Sequence, residues 1–394
     1  MSKENTVEVS EQSYGYEQED LTIAEGDHKT TGLQKPFDPK KINVTSAFVS
    51  MYNIVTRLKA NRIDMAPDFQ RNAGIWSRKA KTRLIESLLI RLPLPAFYFD
   101  TTDDNKWVVI DGLQRLTTVK EFVVENKWPL LAEDLEFLSD QCGNKYYKDL
   151  TIDLQGNLEE SQVMICKILA GTPSRLKFDI FRRINTGGQP LNSQEIRHAL
   201  NPGIINRFLK ELVEFPEFKK ASCNAFDSAR MIDRECVLRF LAFYENDPQQ
   251  YLNPDFDRFL NDYMEGFNKR CNQTTEEVEK GDKMDNVRNA FSQSMKLAVA
   301  IFGNDAFRKR YEEHDGRHPL NKALFEAWAV NLANVTPEEG EILIKRSKEV
   351  KSKFIELMKK PEFDSAITQG TASINRVRCR FKEIAKLIKE VIHA

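Results

Sequence analysis

Asp111, Gly112, Gln114 and Arg115 stand in the run Val108-Val109-Ile110-Asp111-Gly112-Leu113-Gln114-Arg115-Leu116-Thr117-Thr118, where an apolar strand meets a glycine and then a helix. Such a run suits the handling of phosphate. The first amides of a helix have no intrahelical acceptor, and the helix dipole favours an anion there. Glycine lets the backbone come close to a ligand, and an arginine can fork onto phosphate oxygens. A carboxylate at the strand's end, Asp111, is placed to hold a metal ion or to orient a water. Asp-Gly before a helix is also an ordinary turn, with Thr117 and Thr118 merely polar residues of its first turns. The run alone leaves both readings open.

Two more runs carry related chemistry. Asp68-Phe69-Gln70-Arg71, with Trp76 five residues on, puts an amide and a guanidinium on an irregular segment. Phe69 and Trp76 would pack beneath them or stack on a base, whereas the plain alternative makes Arg71 a surface ion-pair partner. In Phe181-Arg182-Arg183-Ile184-Asn185-Thr186-Gly187-Gly188-Gln189-Pro190-Leu191-Asn192, the Asn-Thr-Gly-Gly segment ends a helix in a loop open to positive φ. Successive exposed amides in such a loop make an anion-binding concavity, and Asn192 or Ser193 caps the next helix. The alternative is a helix–glycine–helix corner with no ligand.

The elements that must position these residues follow from periodicity. Phe48, Met51, Ile54, Val55 and Leu58 recur at helical spacing, and Pro67 disfavours helix after them. Lys79 to Leu92 predicts an amphipathic helix with Leu84, Ile85, Leu88, Leu89 and Leu92 on one stripe, stopped by Pro93 and Pro95. Ala96–Phe99 and Trp107–Ile110 flank a turn-rich segment as a hairpin does. Leu116 to Val124 continues as a helix, and Gln162 to Leu169 reads as a third strand. From Pro173 the pattern is almost entirely helical. The expected layout is α+β: an acidic disordered tail over 1–42, a small α/β domain over 43–170, and a larger, mainly helical domain over 171–394. That last domain completes the site with its Asn-Thr-Gly-Gly loop.

Composition narrows the function classes. The formal net charge of −1 lacks the global basic signature of a constitutive DNA binder. Residues 1–40 hold nine Asp/Glu against four Lys/Arg, a net of −5, which leaves about +4 on the rest. This tail reads as a solvated leader, with shielding of a phosphate site as the alternative. Cys142, Cys166, Cys223, Cys236, Cys271 and Cys379 form no CxxC pair, so structural, reduced thiols are expected rather than zinc ligands. The start, Met1-Ser2-Lys3-Glu4, runs into acids rather than an apolar signal, and no window approaches the length of a membrane span. A cytoplasmic protein without membrane partners is the expectation. Arg230-Met231-Ile232-Asp233-Arg234-Glu235 reads as a helix with buried ion pairs. The basic run Arg376, Arg378, Arg380 and Lys382, continued by Lys386 and Lys389, reads as a solvated helix face ahead of a stripe tracking nucleic acid.

Taken together, Phe69-Gln70-Arg71, Leu84-Ile85-Glu86-Ser87, Pro93-Leu94-Pro95, Asp111 through Thr118 and Phe181 through Gly188 resemble a specific pattern. It is that of the domain-of-unknown-function family at the GmrS-like front of GmrSD-type restriction enzymes. Leu113 departs from it, standing where glutamine is usual. Pro319 to Glu326 and Ile367 to Phe381 resemble the helical tail of stand-alone members, so the likeness runs over about 43–390. The resemblance implies a ParB/sulfiredoxin-like fold that cradles nucleotide phosphates. It further implies a site of Asp111, Gln114 and Arg115, faced by Gln70 and Arg71 and closed by Asn185, Thr186, Gly187 and Gly188. The activity it implies is hydrolysis of ATP or GTP, cutting or nicking of foreign or modified DNA, or use of the first to gate the second. Hard oxygen ligands favour magnesium or manganese, with Asp111 as the metal-binding residue. The alternative is a nucleotide-gated DNA-binding sensor that recruits a partner nuclease, and a homo-oligomer is a further possible assembly. Longer members add a His-Asn-His nuclease domain. Beyond His198 this sequence has His314, His318 and His393, and His314-Asp315-Gly316-Arg317-His318 reads as a loop rather than a metal site, so cutting is expected from the ParB-like site or from a partner chain.

Overall fold

The computed structural model describes residues 16–17, 43–65, 76–184, 191–252, 255–273 and 277–394. It divides the chain into two compact units, one of residues 35–200 and one of 1–34 with 201–394.

The first unit is built on a five-stranded sheet of order β1-β5-β3-β4-β2. β1 (Val44–Ser50) lies antiparallel to β5 (Gln162–Ile168), and β5 runs parallel to β3 (Phe97–Asp100). β3 and β4 (Trp107–Asp111) form the antiparallel hairpin that the turn-rich 101–106 segment predicts, and β2 (Ile63–Asp64) adds to β4 in parallel. Helix α1 (Met51–Lys59) begins later than the periodicity suggests. Phe48 belongs to β1 and is 73% exposed, so it is no part of the helical stripe. The β-branched Val44, Thr45 and Val49 favour strand up to Ser50, which occupies the N-cap position.

Ser77 caps α2 (Arg78–Leu89) by accepting the Ala80 amide at 3.2 Å. Its stripe of Leu84, Ile85, Leu88 and Leu89 is buried as expected, while Leu92 lies beyond the helix and is exposed. The helix ends because Arg91 takes a left-handed φ of 59° ahead of the two prolines. Glu86 points the other way. Its buried carboxylate accepts the amides of Glu136, Phe137 and Leu138 at 3.0, 2.7 and 3.0 Å, pinning the chain that leads into α4 (Ser139–Cys142).

One sheet face packs Phe97, Phe99, Trp107, Val109 and Ile165 with α1, α2, α3 (Leu113–Val119) and α5 (Ile152–Glu160). α3 continues through a wider turn over Lys120–Val124. On the opposite face Ile110 and Ile168 pack with Phe178 and Phe181 of α6 (Ser174–Ile184) and Ile196 of α7 (Ser193–Leu200). Lys177 fixes the start of α6 to the sheet through Asp100 at 2.7 Å. Asn192 and Glu195 exchange side chain-to-amide bonds of 2.9 and 2.7 Å, a reciprocal cap that starts α7.

The second unit is helical: α8 (Ile204–Val213), α9 (Pro216–Ser222), α10 (Ile232–Glu245), α11 (Phe256–Gln273) and α12 (Glu277–Phe302). They are followed by α13 (Lys322–Ala333), α14 (Pro337–Lys345), α15 (Ser347–Met358), α16 (Pro361–Thr368) and α17 (Ile374–His393). Its core is rich in phenylalanine and is crossed by a buried ionic network. Glu326 faces Arg380 and Arg239, while Glu235 pairs with Arg239 at 2.6 Å and Lys322 at 3.3 Å. The buried ion pairs expected around 230–235 are present there. The basic C-terminal run is not one solvated face, however. Arg380 is buried, and Arg378 donates to the Tyr251 carbonyl at 3.0 Å. Among the described residues, no helix is long and apolar enough to cross a membrane.

Candidate functional site

The strand–glycine–helix run folds as its residues dictate. β4 ends at Asp111, and Gly112 turns the chain with a φ of +97°, a value open chiefly to glycine. A Cβ at that position would lie 2.5 Å from Phe97 Cδ1, so the turn also needs the missing side chain for room. α3 starts immediately, with no side chain capping its first amides.

Asp111, Gly112, Gln114 and Arg115 therefore meet at one joint. Arg115, a residue 9% exposed, places its guanidinium 3.2 Å from the Asp111 carboxylate. It donates to the carbonyls of Pro95 and, at 3.1 Å, Ala96, and it sits 4.5 Å from the centre of the Phe97 ring. The Pro-hydrophobic-Pro step and the Asp-Gly run, distant in sequence, thus meet through one arginine. Thr118 returns its hydroxyl to the Gln114 carbonyl at 2.8 Å. The Thr117 hydroxyl is buried with no hydrogen-bond partner among the described residues.

Burial raises the Asp111 pKa above the ordinary aspartate value, against the pull of Arg115 and of the Gly112 amide. Burial likewise lowers Arg115, with Asp111 opposing. For both members of the pair the cost of burial outweighs their mutual attraction.

Sequence reasoning missed Tyr98. The register pairs it with Asp111 on one side and Cys166 on the other, so the three form a row across β4, β3 and β5. Burial, then the neighbouring Cys166 and Asp111, push the Tyr98 phenol upward. The signal was available in the alternation Phe97-Tyr98-Phe99-Asp100, which sends Tyr98 and Asp100 to the face opposite the two phenylalanines.

Gln70, Arg71, Asn185, Thr186, Gly187 and Gly188 lie outside the described residues. β2 runs parallel to β4 and pairs with its first two residues, Ile63 with Trp107 and Asp64 with Val108. Among the described residues, no group of three or more His, Cys, Asp or Glu side chains is arranged to hold a metal ion. His318 instead bonds Asp315 at 2.9 Å.

Comparison with known proteins gives one family. The model of the GmrSD restriction endonuclease, N-terminal domain, matches residues 52–201. No curated protein and no solved structure matches the chain. The matched segment holds the Asp111–Arg115 joint, and it ends where the first compact unit ends, at Leu200 and Asn201. Over residues 52–201 the chain is thus similar to the N-terminal domain of GmrSD restriction endonucleases.

Proposed function

We propose that this chain acts in restriction of foreign or modified DNA, and that the joint between β4 and α3 works on a phosphate of a nucleoside triphosphate or of DNA. The observation that carries this reading is the Asp111 carboxylate, seated 3.2 Å from Arg115 beside the uncapped start of α3, within the family-matched segment. The reaction is hydrolysis of a phosphoanhydride or a phosphodiester. The fold would be the ParB/sulfiredoxin-like cradle, with Gln70, Arg71 and the Asn185–Gly188 loop completing it.

In this scheme Asp111 orients the attacking water, and the first amides of α3 receive the phosphate oxygens. Gln114 stands in that first turn. Arg115 is a positioning residue: its donors to the Pro95 and Ala96 carbonyls fix the guanidinium, which in turn fixes Asp111. Where magnesium or manganese takes part, Asp111 is the residue that would hold it. A single carboxylate suits such an ion because phosphate oxygens and waters fill most of its shell.

A second reading is a nucleotide-gated module that recruits a nuclease. It draws on the bonds of Arg115 to the Pro95 and Ala96 carbonyls, which give that arginine a structural task apart from any reaction. Nucleotide binding and phosphate release measured side by side separate the two. Hydrolysis requires that Asp111→Asn keep nucleotide affinity within about threefold while turnover falls about 10²–10³-fold. Tight binding with no turnover in the wild type would select the module. Arg115→Lys, checked for folding by circular dichroism, tests positioning, since it keeps the charge and loses the fork.

A further inference from the structure

Lys309 is a buried lysine, 9% exposed, whose carboxylate partner lies nearly three hundred residues away in the acidic N-terminal segment. Glu17 Oε1 accepts from Lys309 Nζ at 2.7 Å, and the same ammonium donates to Thr368 Oγ1 at 2.9 Å. Glu17 Oε2 accepts from Asn321 Nδ2 at 2.9 Å. Asn321 is itself held in place: it caps α13 through the Leu324 amide at 2.8 Å and donates to the Ile367 carbonyl at 2.8 Å. Tyr16 makes a parallel bridge to Leu320, the Glu17 amide donates to the Leu320 carbonyl at 2.7 Å, and Leu320 bridges Arg308 on its other side. The Tyr16 ring packs on the helical core, with Lys322 Nζ 5.4 Å from its centre.

We propose that Lys309, Asn321, Thr368 and the Leu320 backbone form a docking site for a peptide with an aromatic residue followed by a glutamate, and that the chain's own Tyr16–Glu17 is its occupant. Three independent contacts specify that ligand. The Leu320 edge takes a short extended backbone, the Lys309–Asn321 pair takes one carboxylate by both oxygens, and the core beside Lys322 takes a ring. Charge supplies the second argument. Among the described residues Glu17 is the one carboxylate on Lys309, and a buried ammonium left with only a hydroxyl partner is costly. The site is therefore built around an acidic guest, and the N-terminal acids keep a guest covalently at hand. A tethered guest meets its site at a fixed effective concentration, which a free competitor has to exceed.

The test uses the full chain. A fluorescent peptide of residues 12–21 is titrated into the wild type, into Tyr16→Ala/Glu17→Ala, and into that double variant carrying Lys309→Met as well. The docking site requires binding to the double variant, at least about tenfold weaker binding to the wild type, and loss of binding when Lys309 is replaced. Equal binding to the wild type and the double variant, or none to the double variant, overturns it. Hydrogen exchange on the intact wild type guards against a misfolded variant. The segment holding Glu17 must exchange more slowly in the wild type than in Glu17→Gln, and equal rates overturn docking. If the peptide instead dissociates a wild-type dimer seen by light scattering, the guest comes from a second copy and the proposed occupancy within one chain is wrong.

Discussion

At the scale of single residues, the site turns on a carboxylate and a guanidinium that restrain one another. Asp111 has its pKa raised by burial, so the folded chain keeps a proton that the unfolded chain has already released. Its contribution to stability is therefore fullest below the ordinary aspartate value, about 4, and is lost as pH rises through the raised value. Activity runs the opposite way, because an ionised Asp111 is required. The acid limb of the pH–rate profile should lie above the ordinary aspartate value and should disappear with the residual activity of Asp111→Asn. A limb at or below about 4 would remove Asp111 from the reaction. Gly112 has no freedom to change. Gly112→Ala forces an alanine to φ +97° and drives its methyl into Phe97. It should destabilise the first unit by about 1–3 kcal/mol, measured as a shift in urea midpoint. An unchanged midpoint would mean that the turn relaxes freely.

At the scale of elements, the joint is tied to the chain ahead of β3 through the Pro95 and Ala96 carbonyls, and α2 fixes a turn further on. α2 contributes Glu86, whose carboxylate holds three consecutive amides of the 136–138 turn. Hydrogen bonds to a charged acceptor contribute about 1.5–3 kcal/mol each, but removing the acceptor lets water reach some of those amides. Glu86→Ala should thus cost about 3 kcal/mol or more in chemical denaturation, and Glu86→Gln clearly less. The α2 helix, the hairpin of β3 and β4, strand β5 and the long helical region were legible in the sequence because their apolar spacing is regular. The Asp111-to-Arg115 joint was legible because an apolar run, a glycine and a helix follow one another without a gap. Strand β1 was not, because Phe48 falls by chance on the helical stripe of α1 although it is an exposed strand residue. β2, two residues long, carries no period at all. The role of Arg115 was only half legible. Its charge could be read, but its acceptors, the Pro95 and Ala96 carbonyls, are contacts that only the fold brings together. The same holds for Tyr98, whose meeting with Asp111 depends on strand register.

At the scale of the whole molecule, Tyr16 and Glu17 belong to the helical unit, the described residues of 43–200 to the sheet unit, and those from 201 on to the helical unit again. The helical unit is organised by buried charge as well as by its phenylalanines. Glu326 sits between Arg380 and Arg239 with no access to water. Glu326→Ala leaves two guanidiniums facing each other and should cost about 3–5 kcal/mol, read as a lowered unfolding midpoint, with a smaller loss for Glu326→Gln. Such variants, in the other unit from Asp111, calibrate what loss of stability alone does to activity. The most direct measurement of the central claim is phosphate release from ATP and GTP with magnesium, with plasmid DNA present and followed on a gel, for the wild type beside Asp111→Asn. Turnover or nicking in the wild type that falls about 10²–10³-fold in a variant of equal stability is the expected result. Activity within threefold of the wild type in Asp111→Asn would contradict the assignment of the β4–α3 joint as the active site.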